Sequence, residues 1–193
     1  MGPVRLICPR RHRDTRGWFQ EIYNEQTFAK LGIDVRFVQD NLSRSRNRRV
    51  LRGLHFQTPP LAQAKLVRCQ KGRIWDVAVD LRLRSPTFGN WVSAELSEAN
   101  GHQLFIPAGF AHGFVTLEED TEVAYKVSAV YAPQCEGGII WSDHLIAAPW
   151  PLDGGEPLVS ERDARLGGLV GFASPFDYDG EPLIPLAAEP LIP

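Results

Sequence analysis

An all-β fold of jelly-roll type, a barrel or sandwich with a few short helices, is what this sequence predicts. Three observations carry the prediction. Short runs alternate apolar and polar residues, the period of strands that bury one face. Seventeen glycines and fifteen prolines punctuate these runs, and both residues mark turns and strand ends. No long amphipathic helix pattern precedes the C-terminal region. Chains of this kind close into barrels or double sheets, which protects their edges. The 193 residues suit a single domain over 1–193, with a core over about 16–150 and a helix-bearing extension and tail over 151–193.

Taken in order, Val4-Arg5-Leu6-Ile7 reads as a first strand and Arg11 to Gly17 as a loop. Trp18 to Tyr23 reads as an aromatic strand with Arg16 and Glu21 at its ends. Asn24 to Leu31 is the best helix, with Asn24 as cap and Gly32 as stop. A strand over Val35 to Asn41 follows; its polar end, Gln39-Asp40-Asn41, suits a turn or the holding of a sugar or phosphate. From Gly72 the chain turns into Ile74 to Leu81. There Trp75, Val77, Val79 and Leu81 share one face and Asp76, Asp80 and Arg82 the other, the pattern of a half-buried strand. Ser85-Pro86 makes a turn, Trp91 to Leu96 a strand, Asn100-Gly101 a turn and Gln103 to Ile106 a strand.

Glu122 to Tyr131 alternates again, placing Val123, Tyr125, Val127, Ala129 and Tyr131 on an inner face. Buried tyrosine hydroxyls need partners, and a ligand is one candidate. Gly137 to Trp141 is the expected final strand. Ser160 to Arg165 reads as a short helix capped by Ser160, and 180–193, rich in Pro and Leu, as a loosely ordered tail.

The most informative stretch is Arg52 to Lys65, flanked by the strand-like runs Arg49-Val50-Leu51 and Lys65 to Cys69. Residues two apart on a strand share a face, so His55 goes with Leu51 and Gly53, and Lys65 with Val67 and Cys69. Gly53 brings no side chain and marks a bulge or a close approach. If these strands pair, an imidazole and an ammonium share one pocket, as suits a base and a charge stabiliser acting on a carbonyl compound. Each residue alone is more often a core histidine or a surface charge. Arginine, histidine and lysine within fourteen residues, beside a glycine and a Pro-Pro turn, point instead to a site.

Composition narrows the function further. With 21 basic against 23 acidic residues, net charge is −2, which offers no surface for nucleic acid or membrane. Five arginines between Arg44 and Arg52 form the one basic cluster, a solvated loop or a phosphate contact. Cys8, Cys69 and Cys135 make an odd count without metal-type spacing. The N-terminus lacks a signal pattern and no apolar run approaches membrane length, so a soluble cytoplasmic protein is expected.

Pro107-x-Gly109-x-x-His112 resembles the second cupin motif, whose histidine binds metal. The first motif needs His-x-His, and here His55 is followed by Gln57. A catalytic metal site usually has about three protein ligands, so the chain looks like a cupin barrel without its metal. A closer resemblance rests on Leu51-Arg-Gly-Leu-His-Phe-Gln, Ala62-Gln-Ala-Lys-Leu-Val-Arg, Asp76-Val-Ala-Val-Asp-Leu-Arg, Ser85-Pro-Thr-Phe-Gly and Ile106-Pro-Ala-Gly-Phe-Ala-His-Gly-Phe. These segments resemble the dTDP-4-dehydrorhamnose 3,5-epimerase family, from about Arg16 to Trp150, with Ser160 to Asp163 matching a later motif.

That resemblance implies a homodimer, free of cofactor and metal, acting on a dTDP-linked 4-keto-6-deoxyhexose. It places the base on His55, its orienting aspartate on Asp163, the acid on Tyr125 and the enolate-steadying lysine on Lys65. Substrate contacts fall on Arg16, Glu21, Gln39, Asn41, Arg52, His112, Tyr131 and Glu136, with Arg162 where relatives usually carry lysine. Gly137-Gly138 stands where they commonly carry arginine.

The chemistry suits these residue types. Carbons 3 and 5 flank the C4 ketone, so their protons are acidified by enolate formation. An imidazole, with an ordinary pKa of about 6.5, works as a base near neutral pH. A buried aspartate would fix its tautomer, and a lysine would offset the enolate charge in a water-poor site. Inversion needs a proton returned from the opposite face, hence a separate acid. Arginines suit the pyrophosphate, and Phe19 or Tyr131 the thymine ring. The apolar Trp18 to Tyr23 run suits an interface that lends Arg16 to a partner subunit. A relative inverting one carbon shares these motifs. A metal cupin or a sugar-binding barrel without turnover is the remaining reading.

Overall fold

The computed structural model describes residues 3–191. In chain order the elements are β1 (Arg5–Pro9), β2 (Arg11–Asp14), β3 (Gly17–Gln20), α1 (Glu25–Lys30), β4 (Gln39–Ser45), β5 (Leu51–Gln57) and β6 (Lys65–Lys71). There follow β7 (Arg73–Asp80), β8 (Trp91–Ser97), β9 (Gln103–Ile106), β10 (Phe110–Thr116), β11 (Thr121–Val127), β12 (Glu136–Gly138) and β13 (Ala188–Leu191). Two sheets pack as a sandwich, as the alternating runs predict. One has the order β13-β1-β9-β6-β11-β4, the other β12-β5-β10-β7-β8, and β2-β3 forms a separate hairpin.

The core between the sheets is built from inward residues of both. Val67, Leu104, Ile106 and Val123 come from the six-stranded sheet, and Ile74, Ala78, Phe110 and Phe114 from the five-stranded one. The outer face of the six-stranded sheet is partly covered by α1, where Phe28 and Ile33 meet Ile7, Leu66 and Phe105. As expected, Asn24 caps α1, accepting from the Gln26 and Thr27 amides.

Several local expectations are corrected. Arg11 to Asp14 is a strand, not a loop, because it pairs with Gly17–Gln20; the aromatic strand therefore ends at Gln20. The strand expected from Val35 starts at Gln39, and the Gln39-Asp40-Asn41 triplet lies inside it, paired with Val127, Lys126 and Tyr125. The segment 160–165 makes only a 3-10 turn over Asp163–Arg165, with Ser160 Oγ accepting from the Asp163 amide at 3.0 Å. Pairing after Glu136 ends at Gly138, short of Trp141.

Two corrections bear on how the sandwich closes. β7 is buried on both faces, with Asp76 and Asp80 both at 0% exposure. Its apolar face, with Val77, Val79 and Leu81, points away from the sandwich and is covered by Ile139, Ile146, Leu169 and Phe176. Its polar face points inward, where buried carboxylates need partners. Asp80 accepts from Arg82, Ser85 and Thr87.

The tail is likewise ordered where it reaches the barrel. β13 pairs parallel with β1, and Arg5 donates to Glu189 at 2.9 Å. That pairing covers the edge that β1 would otherwise expose.

Candidate active site

The central stretch works differently from the pairing that its spacing suggests. β5 and β6 do not pair; they belong to opposite sheets and face each other across the sandwich. His55 and Lys65 still meet, because both point inward: Lys65 Nζ lies 3.3 Å from the His55 carbonyl oxygen. Gly53 is a close approach, as expected. A side chain there would begin 2.5 Å from Gly113 Cα, and the backbone has φ +130°. The register of β5 against β10 slips here, from His112 opposite His55 to Phe114 opposite Arg52. Gly53 and Leu54 on β5 thus stand opposite Gly113 alone on β10, a bulge that brings Arg52 and His55 to the same cavity instead of opposite faces.

That cavity has a volume of about 490 Å³ and is lined by Arg52, His55, Lys65, His112, Tyr125, Arg162 and Asp163. A smaller extension of about 130 Å³ shares His55, Lys65 and Tyr125, and reaches Gln39, Asn41, Tyr131 and Glu136. Eleven of the fourteen sequence-derived site residues therefore converge on one continuous cleft. Arg16, Phe19 and Glu21 do not reach it within one chain. Arg16 lies on the β2–β3 turn, paired with Asp14 and 88% exposed along its side chain. Phe19 is 71% exposed on β3. Glu21 is taken up by Asn24 and Thr27 at the start of α1.

Within the cleft, His55 Nε2 lies 2.7 Å from Asp163 Oδ1. Asp163 Oδ2 accepts from the Gly53 amide at 3.3 Å. Burial works against the Asp163 carboxylate, but the bonds from His55, Gly53 and the Ser160 region bring its pKa below the usual value. The dyad's other imidazole nitrogen, Nδ1, is left for a ligand. Lys65 is 9% exposed, and burial lowers its ammonium pKa to about 8 against the raising influence of Asp76 and Glu136. Tyr125 reaches the cleft from β11; burial raises its phenol above the ordinary value, so it carries its proton at neutral pH.

Tyr131 lies beyond the end of β11 and is 53% exposed, so it is no inward wall of the barrel. Its hydroxyl donates to Glu136 at 2.7 Å, and Arg162 pairs with the same carboxylate at 2.7 Å. The Gln57 position, which departs from the cupin metal motif, is used structurally. Its amide donates to the Leu61 and Val130 carbonyls and accepts from the Ala132 amide, anchoring the loop that carries Tyr131.

The sequence reading missed Asp76 as part of this centre. It is bonded to His112 Nε2 at 2.9 and 3.1 Å beneath the cavity wall. Its alternation with apolar neighbours suggested a solvent face; a polar residue facing into a sandwich is recognisable only once the covering of the opposite face is known.

The family profile described as dTDP-4-dehydrorhamnose 3,5-epimerase matches residues 2–170. A Sinorhizobium fredii protein of that name is 49% identical over 178 residues, covering 92% of this chain and 91% of the relative. The Legionella pneumophila dTDP-6-deoxy-D-glucose-3,5-epimerase, solved with dTDP-4-keto-L-rhamnose, superposes with a TM-score of 0.87 at 42% identity, covering 92% of this chain and 94% of that one. A 3'-monoepimerase from Streptomyces bikiniensis, solved with dTDP-quinovose, shares the fold at TM-score 0.81 but only 33% identity, over 88% of each chain. By profile, sequence and fold, the chain belongs to the dTDP-4-dehydrorhamnose 3,5-epimerase family.

Proposed function

We propose that the chain is a 3,5-epimerase that converts dTDP-4-dehydro-6-deoxy-D-glucose to dTDP-4-dehydro-L-rhamnose by proton transfer alone. The observation that carries this reading is the opposition of two proton-handling groups. His55, backed by Asp163 from a 3-10 turn, enters from one sheet and Tyr125 from the other, with Lys65 beside them in one cleft.

In this mechanism His55 Nδ1 takes the proton from C3 or C5, and its imidazolium is stabilised by Asp163. The electron pair moves onto the C4 oxygen, and the Lys65 ammonium offsets that enolate charge. Tyr125 gives its phenolic proton to the same carbon from the opposite face. The phenolate then regains a proton and His55 releases one, so atoms balance and nothing is oxidised. The second carbon follows the same course. Arg52 and Arg162 suit the pyrophosphate, Tyr131 the thymine ring, and Gln39, Asn41, His112 and Glu136 the polar edge of the sugar nucleotide.

Greater identity to curated 3,5-epimerases than to the monoepimerase supports inversion of both carbons. The check is an NMR time course with dTDP-4-dehydro-6-deoxy-D-glucose in deuterated water. Deuterium should enter at both C3 and C5; labelling at one carbon only would make the protein a single-centre epimerase.

The working unit in this proposal is a homodimer. Arg16, Trp18 and Phe19 stand exposed together on the β2–β3 hairpin, two large aromatics beside a guanidinium. A groove of about 300 Å³ beside the free edge strand β4, lined by Ile22, Leu42, Leu66 and Ala124, offers a second apolar contact surface. A two-fold partner would bring Arg16, Phe19 and Glu21 to the neighbouring cleft. Sedimentation at micromolar concentration should give a dimer, and a monomer there would refute the arrangement.

No helix among the described residues is long and apolar enough to cross a membrane. The three cysteines are free, which suits a cytoplasmic setting.

A further inference from the structure

Asp76 is the one fully buried carboxylate beside the cleft to which the mechanism above gives no role. It sits on β7 at 0% exposure, behind the cavity wall. Both its oxygens lie within hydrogen-bonding distance of His112 Nε2, at 3.1 and 2.9 Å. His112 in turn stands opposite His55 in the β5–β10 ladder and lines the cavity. Burying a carboxylate without compensation is costly, so its placement under a cationic and an imidazole side chain calls for an account.

We propose that Asp76 is a positioning residue which fixes His112 in the Nε2–H tautomer and keeps the Lys65 ammonium charged. This rests on the reading of Lys65 as the group that offsets the enolate. The Nε2–H donates to Asp76, so His112 presents Nδ1 as an acceptor, the orientation wanted for a sugar hydroxyl. The charged and titratable groups around Lys65 are Arg52 and His55 on β5, Asp76 on β7, His112 on β10, Tyr125 on β11, Glu136 on β12, and Arg162 and Asp163 after Ser160. Of the three carboxylates, Asp163 is bonded to His55 and the Gly53 amide, and Glu136 is paired with Arg162 and Tyr131. Asp76 is thus the counter-charge least committed elsewhere. Burial pushes His112 down and Asp76 up, and the bond between them opposes both movements. The lowered His112 pKa accords with a neutral imidazole that donates its Nε2–H to Asp76.

The test is Asp76→Asn, which keeps shape and can still accept from His112, but removes the charge. Wild-type turnover should fall as pH rises past about 8, where Lys65 loses its proton. Removing a nearby negative charge makes the cation less stable, so this basic limb should move down by about one pH unit or more. Turnover at pH 8 should then drop roughly fivefold, with less change at pH 6.5. A purely structural role would lower the whole profile without moving the limb, and that outcome would overturn the proposal. Lys65→Gln separates the two layers: if it turns over normally, the enolate assignment fails and takes the proposal with it. If it is inactive while the Asp76→Asn limb stays in place, only the role of Asp76 fails. Imidazole ¹⁵N NMR of the unmutated protein needs no variant to fold. It should show His112 neutral and protonated at Nε2; an Nδ1–H tautomer would contradict the assignment.

Discussion

His55→Ala is expected to lower turnover by about a thousandfold or more and to stop deuterium entry at both C3 and C5. General-base contributions run from roughly 10² to 10⁴, and here the same group is asked to act at two carbons, so no independent route should rescue one of them. Asp163→Asn keeps the size of the side chain but replaces the acceptor 2.7 Å from His55 Nε2 with a group that no longer carries the compensating charge. A loss of roughly a hundredfold or more is expected, with the protein still folded, because the Gly53 amide and the Ser160 contact can be retained.

Two residues that act as one base unit give losses that do not add. The double variant should therefore be little worse than His55→Ala alone. Exchange in D₂O read by NMR separates these cases: strictly additive losses would mean that the two side chains act apart. Exchange at a normal rate in His55→Ala would place the base elsewhere in the cleft.

The parts of the fold that were legible in the sequence are those set by local pattern. Alternation places Val67 and Cys69 with Lys65, and Val123 with Tyr125, all inward in the structure. The Asn24 cap and the crowded Gly53 followed from local stereochemistry. Alternation gives a residue's face but not which sheet its strand joins. Hence His55 and Lys65 were placed in one pocket for the wrong reason, as paired neighbours instead of opposing walls. The same limit explains β7: periodicity distinguishes two faces, and only the later arrival of Leu169 and Phe176 decides that both are covered. The parallel pairing of β13 with β1 joins the two ends of the chain, a contact too distant in sequence for any local signal.

The site was legible further than the fold because its residues carry a family resemblance. Even so, a single chain gathers Gln39, Asn41, Arg52, His112 and Tyr131 but not Arg16, Phe19 or Glu21. Asp76 stayed hidden for the opposite reason. It acts on the chemistry through His112 and Lys65, and a residue that acts through others leaves no spacing pattern of its own.

Opposed proton transfer across the cleft is the centre of the account, and Tyr125 isolates it. A base returns a proton only to the face from which it took it, so His55 alone would exchange protons without changing configuration. Tyr125→Phe retains the ring that packs against the core between the sheets and deletes only the hydroxyl. Burial of that phenol raises its pKa, which favours the donor form over the phenolate at neutral pH. The variant should still remove C3 and C5 protons through His55, with Lys65 holding the enolate, yet form less than about a hundredth of the inverted product, the scale of losing a general acid. The decisive measurement is a single NMR time course of Tyr125→Phe in D₂O that follows deuterium at C3 and C5 and the ring configuration together. Continued deuterium entry with retained configuration is the expected result. Inversion of both carbons at near wild-type rate would contradict it and leave Tyr125 as no more than a wall of the pocket.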